Sequence, residues 1–475
     1  MKQVCILLAL CAMAAIALPA QTFTTLHNFC TPPGCLDGAY PLGTPLQSIG
    51  GDLYGNTWVG GNERASAGTI YKITPSGVFT TIHQICTPDG ACPQSIEPTA
   101  PLIQAVDGTF YGTTSGTGMP GFPGAVFAMK DGKVKTLHVF CSQSGCADGL
   151  YPDVLVQADD GNLYGTTLLG GDCDYEFYCG TFFKISPSGT LTTLYDFCKH
   201  GGGTCPDGRY PGGLVQAANG DFYGAAGSVN GYGTLFKITP GGTLTTLHTF
   251  CTQAGCPDGE SPTGLTLAPN GDLWGATQSG GADCNDEDGL GTIFKLTPSG
   301  QFTTVYTFCL EGAEPTAQLI VGSDGNFYGT TVLGGPLGVG TIFRITPDGA
   351  LTTLYSFGAT TLMQDTDGDF YGTTSDGGAN CQPAGCGTLF RLSIGLGPFV
   401  KTLPASGPVG GIVEILGTDL TGTTSVSFDG IPAAFKVVSP SLIATTVPAA
   451  ASTGTVKVVT PGGTLASNVP FRVLP

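Results

Sequence analysis

One longer string built on an aromatic-glycine anchor returns seven times along this chain, with its anchors at Tyr54, Tyr111, Tyr164, Tyr223, Trp274, Tyr328 and Tyr371. The spacings are 57, 53, 59, 51, 54 and 43 residues. Around each anchor lies the same succession: a short apolar strand, a tight turn, the anchor strand, a variable loop and a hairpin. In the fourth copy, Gly213 to Ala217 reads as a first strand and Asn219-Gly220 as its turn. Phe222 to Ala226, Thr234 to Thr239 and Thr243 to Phe250 read as three further strands. Asp-Gly or Asn-Gly fills the first turn in six copies, beginning at Asp107, Asp160, Asn219, Asn270, Asp324 and Asp367. That dipeptide predicts a type I′ turn, with positive φ at both central residues. One small sheet cannot bury its own faces, so the copies must stack, and four strands per copy predict a propeller rather than a helical solenoid. Composition agrees, because 76 Gly and 34 Pro would interrupt helices every few residues.

The two ends belong together. The seventh copy has a third strand, Gly387 to Leu392, but no fourth before the composition changes at Gly395. Thr22 to Phe29, TFTTLHNF, matches the fourth strands that end at Phe250 and Phe357. The expected fold is therefore all-β: a seven-bladed β-propeller over residues 21–394, closed by its N-terminal strand so that no sheet edge stays open. Residues 1–20 place Lys2 before the apolar run Val4 to Ala17 and end at Leu18-Pro19-Ala20, the pattern of a secretory signal peptide. No later run reaches the ~20 apolar residues of a membrane span. An extracellular or cell-surface monomer is expected. With 17 Lys+Arg against 35 Asp+Glu, the net charge of −18 repels phosphate backbones and excludes nucleic acid as a partner.

The strings GTLFKITPGGTLTTLHTF (Gly233 to Phe250) and GTIFRITPDGALTTLYSF (Gly340 to Phe357) resemble the GloVer tandem repeat of bacterial choice-of-anchor surface proteins, from Thr22 to Leu392. The resemblance implies an exported protein and supplies no catalytic residues. Residues 395–475 contain no cysteine and no Tyr-Gly. Their Ser406-Gly407-Pro408, Gly417-Thr418-Asp419-Leu420, Val426-Ser427-Phe428 and Pro461-Gly462-Gly463 resemble an IPT/TIG domain. That implies an immunoglobulin-like β-sandwich serving as a spacer or docking module.

Sixteen cysteines remain beyond the signal segment, an even number suited to an oxidising compartment. Close neighbours suggest disulfides Cys30–Cys35, Cys86–Cys92, Cys141–Cys146, Cys173–Cys179, Cys198–Cys205, Cys251–Cys256 and Cys381–Cys386, and elimination leaves Cys284 with Cys309. All fall in loops on one side of the units, so they mark one face of the disc, with only tight turns on the other. On the bridged face Trp58, Tyr175, Phe177, Tyr178 and Tyr232 are the candidate binding aromatics. The first strands carry Gln47, Gln104, Gln157, Gln216 and Gln364, which either line the channel for a polar ligand or bond neighbouring units to one another. His27, His83, His138 and His248 share one repeat position with Tyr195, Tyr306 and Tyr355, which argues for a structural rather than a catalytic role. Asp283, Asn285, Asp286, Glu287 and Asp288 form either a solvated acidic loop or a calcium site; no other cofactor is expected. First strands show no singular cluster of Glu, Asp and His. The expected function is non-enzymatic: a propeller face recognising an extracellular glycan or protein. A secreted lyase or hydrolase acting on a polysaccharide or lactone is the alternative.

Overall fold

The computed structural model describes residues 21–61, 67–86, 97–116, 123–173, 179–199, 205–227, 232–282, 289–309, 312–381 and 385–474. Among them the fold is all-β and propeller-like, apart from a single turn of 3₁₀ helix at Ser144–Cys146. In the fourth unit Arg209–Gln216, Phe222–Gly227, Thr234–Ile238 and Leu244–Thr249 form one antiparallel sheet in that order. The first strand starts four residues before the expected Gly213. The sixth unit breaks its first strand into Ala313–Pro315 and Ile320–Val321, both paired with Phe327–Leu333. In the seventh unit, Thr361–Gln364, Phe370–Thr374 and Thr388–Ser393 are joined by Thr22–Asn28. That N-terminal strand runs antiparallel to Thr388–Ser393, with Thr22 opposite Ser393 and Asn28 opposite Thr388.

The anchor dipeptide is explained by its two neighbours. A Cβ on Gly165 would lie 2.6 Å from the Phe183 ring, and one on Gly372 equally close to Phe390, so glycine is what lets a third-strand aromatic cross the anchor strand. The aromatic half packs onto the next unit. Tyr54 meets Phe110 at 4.4 Å between centroids, Tyr164 meets Phe222 at 4.5 Å, Trp274 meets Phe327 at 4.1 Å and Tyr328 meets Phe370 at 4.4 Å. Each contact adds about 0.5–1.5 kcal/mol beyond the area it buries.

The first turns differ from the expected type I′. Among the described turn Asp and Asn residues of the repeat units only Asp131, in a second-hairpin turn, has positive φ (51°), followed by Gly132 at 72°. In the Asp-Gly and Asn-Gly first turns only the glycine is left-handed. The preceding side chain instead accepts the amide two residues on, as Asp107 does from Thr109 (3.0 Å) and Asp367 from Asp369 (2.9 Å). A side-chain acceptor of this kind stabilises the turn without a second left-handed residue.

Buried clusters straddle successive units. One joins Tyr164 and Phe182 to Phe222 and Phe236, and another joins Tyr371 and Leu389 to Leu53 and Tyr71. Residues 399–474 form separate sheets around Val413, Ile415, Val426, Phe428, Ile443, Val456, Val458 and Phe471, all buried. There Phe428 and Phe471 meet edge-on at 5.1 Å.

Candidate functional site

In six units the first strand ends at an Asx-stabilised turn, and in the first unit at the Gly50-Gly51 turn closed by the Ser48 and Asp52 backbone. Six disulfides lie among the described residues: Cys30–Cys35, Cys141–Cys146, Cys173–Cys179, Cys198–Cys205, Cys251–Cys256 and Cys381–Cys386. Cys86 and Cys309 are also disulfide-bonded, and their expected partners Cys92 and Cys284 lie outside the described residues. A second device closes the same loops. His27 meets Asp37 at 2.9 Å, His138 meets Asp148 at 3.0 Å, His248 meets Asp258 at 2.8 Å, and Tyr195 donates to Asp207 at 2.9 Å. The aspartates also accept loop amides, such as those of Thr31 and Ser142. Burial works against ionisation of Asp37 and Asp148, but the bonds from histidine and the loop outweigh it and hold both carboxyls below their usual value. At these four positions the repeated His/Tyr residue is thus a loop clasp.

Beyond each clasp the chain turns into the next first strand through a residue of positive φ followed by proline. Those residues are Tyr40, Glu97, Tyr151, Tyr210, Ser261 and Glu314, with φ of 54°, 65°, 57°, 54°, 57° and 55°. Left-handed geometry is unfavourable for such side chains, and it recurs because the surroundings impose it. Each amide is held by a carbonyl of the preceding unit's loop, as Tyr210 is by Cys179 at 3.0 Å and Tyr40 by Cys386 at 2.9 Å. Each proline abuts a glycine of that loop: a Cβ on Gly180 would lie 2.5 Å from Pro211 Cδ, and one on Gly387 2.6 Å from Pro41 Cδ.

Tyr210 and Ser261 of this collar line a cavity of about 410 Å³, with Asp153, Thr263, Gln278 and Thr316. The residue after the collar proline is Leu42, Thr99, Asp153, Gly212, Thr263 or Thr316 in the six units that have one. Asp153 is the acid in that series. A Cβ on Gly212 would come within 2.9 Å of its Oδ2, so glycine in the neighbouring unit leaves room for the carboxylate. Burial pushes the Asp153 carboxyl up to about 6, against one opposing bond from the Val154 amide. Sequence analysis looked for a singular cluster of Glu, Asp and His on the first strands and did not single out Asp153, which stands without another acid or histidine in the cavity lining. Asp153 is the lone acid of its position in the Tyr-Gly register as well, where the other units have Gly43, Ala100, Gly212, Thr263, Ala317 and Thr360.

The glutamines stand at the other end of the first strands. Gln104 accepts the Ile49 amide at 2.8 Å, Gln216 the Asp159 amide at 3.2 Å and Gln364 the Ser323 amide at 2.8 Å, each from the preceding unit. Gln104 and Gln364 also donate to Gly108 and Gly368 of their own turns, and Gln157 donates to Gly161 in the same way at 3.5 Å. Gln47 donates to Asp365 and Thr366 of the seventh unit, both at 2.7 Å. These bonds run between and within turns, while the Gln47 Oε1 is buried without a partner among the described residues. On the bridged side Trp58 and Tyr232 are 37% and 38% exposed. Tyr175, Phe177 and Tyr178, and the acidic run Asp283, Asn285, Asp286, Glu287 and Asp288, lie outside the described residues.

A family model described as the Gloeobacter/Verrucomicrobia repeat matches residues 13–175, 97–320 and 203–362. The chain belongs to this repeat family. An IPT/TIG domain model matches residues 399–473. No curated protein matches the chain. Among solved structures, the extracellular domain of a one-component system from B. thetaiotaomicron has a TM-score of 0.50 at 12% identity, covering 95% of this chain and 59% of its own. The periplasmic gluconolactonase of Pseudomonas aeruginosa has a TM-score of 0.46 at 19% identity, covering 67% and 85%. A luciferin-regenerating enzyme has 0.41 at 13%, covering 80% and 98%. At these identities the likeness is one of fold. Among the described residues no helix is long and apolar enough to cross a membrane.

Proposed function

We propose that residues 21–394 form a closed seven-bladed propeller, exported through the leader 1–20, whose bridged-face channel mouth is the site of a small-molecule hydrolase. Closure is supported by the pairing of Thr22–Asn28 with Thr388–Ser393 and by the bond from Tyr40 to Cys386. The Tyr371 cluster that includes Leu53 supports it as well. The observation that carries the catalytic reading is Asp153, a lone acid among small residues in a cavity of about 410 Å³. That volume is near the lower end for ligand pockets and suits a monosaccharide-sized molecule better than a polysaccharide strand. The flank of Tyr210 offers an apolar face to a sugar ring, while Thr263 and Gln278 offer hydroxyl and amide groups to its oxygens. A carboxyl near 6 is mostly ionised at neutral pH yet basic enough to take a proton. In lactone hydrolysis Asp153 would remove a proton from water as the oxygen adds to the ester carbonyl. It would return that proton to the ring oxygen as the C–O bond breaks.

The test is a panel of aldonolactones and aryl glycosides assayed with the mature protein and with Asp153→Asn. Turnover of one class that falls at least about a hundredfold in the variant supports the reading; turnover equal in both proteins removes Asp153 from it. Exposed Trp58 and Tyr232 favour a second reading, a binding face for glycan or protein. Ligand retention without turnover would support that one.

A further inference from the structure

The C-terminal domain, expected to be a spacer or docking module, meets the turn ends of five units. Arg472 donates to the Ala217 carbonyl of the fourth unit and to Asp159 of the third, and Ser406 also donates to Asp159. Asn468 donates to the Val321 carbonyl of the sixth at 3.0 Å. In the seventh, Thr366 accepts the Phe399 amide at 3.0 Å and meets the Thr418 hydroxyl at 3.2 Å, while Lys401 donates to the Gln364 carbonyl. A Cβ on Gly51 of the first unit would lie 3.0 Å from Ser441 Oγ. These residues lie at the first turns, the innermost on that side, and in a ring of seven the third and fourth units stand across the axis from the seventh and first. A body bonded to both sides of the axis must lie over it. The contacts are sheltered: the side chains of Arg472 and Asp159 are 15% and 20% exposed. Gln47, Asp365 and Lys401 bring amide, carboxylate and ammonium together at the same junction, where Asp365 is 3% exposed.

We propose that the IPT/TIG domain is a fixed cap over the turn-side end of the propeller channel, held by the Arg472–Asp159 pair, so that the channel opens only at the bridged face. This rests on the closed ring proposed above but not on any catalytic role for Asp153. Docking shelters Lys401, the first basic residue after Arg391, so limited trypsin digestion reads it directly through the fragment that begins at Thr402. In the full mature chain Asp159→Arg or Arg472→Asp should speed that cleavage about tenfold or more, because each leaves a like-charge contact in the junction. The double variant Asp159→Arg/Arg472→Asp should restore protection. Small-angle scattering should report one rigid body for the wild type and the double variant, and two loosely tethered bodies for the single variants. Asp159→Arg alters only the propeller, so its reading stands even where Arg472→Asp fails to fold. Wild-type cleavage after Lys401 as fast as in Asp159→Arg, or wild-type scattering from two independent bodies, would overturn the cap. Loss of aldonolactone turnover in Asp153→Asn with these readouts unchanged would leave the cap intact.

Discussion

Replacing Gly180 by alanine tests the joint between units quantitatively. Gly180 has φ of 98°, and an added Cβ would lie 2.5 Å from Pro211 Cδ and 2.5 Å from the Thr167 carbonyl oxygen. Two costs are expected. The left-handed conformation costs alanine about 1–2 kcal/mol, part of which is offset because alanine restricts the unfolded chain. The contacts need roughly 1 Å of movement between two packed units, and overpacking of that kind costs about 1–3 kcal/mol. The sum is about 2–4 kcal/mol. Gly220→Ala is the internal control: its φ is 83° but nothing lies within 4 Å of the added Cβ, so only the conformational cost of about 1 kcal/mol applies. Gly387→Ala probes the same joint between the seventh and first units, where Pro41 Cδ would lie 2.6 Å away. Urea unfolding of the oxidised mature proteins, followed by aromatic fluorescence, gives the midpoints. Gly180→Ala and Gly387→Ala should both fall well below Gly220→Ala. Equal midpoints for all three would refute the steric argument, and a normal Gly387→Ala beside a damaged Gly180→Ala would refute ring closure.

Three further outcomes are expected. For a substrate turned over through Asp153, kcat/KM should rise with pH through about 6 and level off above it, the profile of a base whose carboxyl is raised to about 6 by burial; a flat profile from pH 5 to 8 would exclude that base. Asp37 and Asp148 have lowered carboxyls, so their contribution is present above about pH 4 and is lost as pH falls through the folded-state values; Asp148→Asn should cost about 1–2 kcal/mol at pH 7 and shrink the loss of stability between pH 5 and 3, measured by calorimetry. Reduction should lower thermal stability in modest steps, about 2 kcal/mol for each five-residue bridge such as Cys251–Cys256, and trypsin should then attack the loops before the sheets.

Much of the fold is legible in the residues because a repeat averages out local ambiguity. One Tyr-Gly is a weak signal, but seven in register with apolar strands leave few ways to bury each face. The partner of Thr22 to Phe29 was legible because an unfinished seventh unit and an orphan fourth strand match residue by residue. The turn type was not. Asp-Gly allows both the type I′ geometry and the Asx-stabilised one, and only the hairpin that surrounds it selects between them. Asp153 was legible as a lone acid in the repeat, but its cavity was not, because Tyr210, Ser261 and Thr316 of three other units complete that space. The cap was hidden for another reason: Arg472 and Asp159 lie 313 residues apart.

Sequence alone determined the number of units, the order of strands within each, the cysteine-rich side and the change of module after Gly395, all consequences of local pattern repeated in register. Tertiary structure decided which side chains share a space: that His27 and Asp37 form a clasp, that the glutamines stitch turns, that Asp153 meets Tyr210 in a cavity, and that the last domain sits on the turns. Those pairings depend on how successive units pack against one another, which is summed over many contacts rather than set by any one stretch of chain.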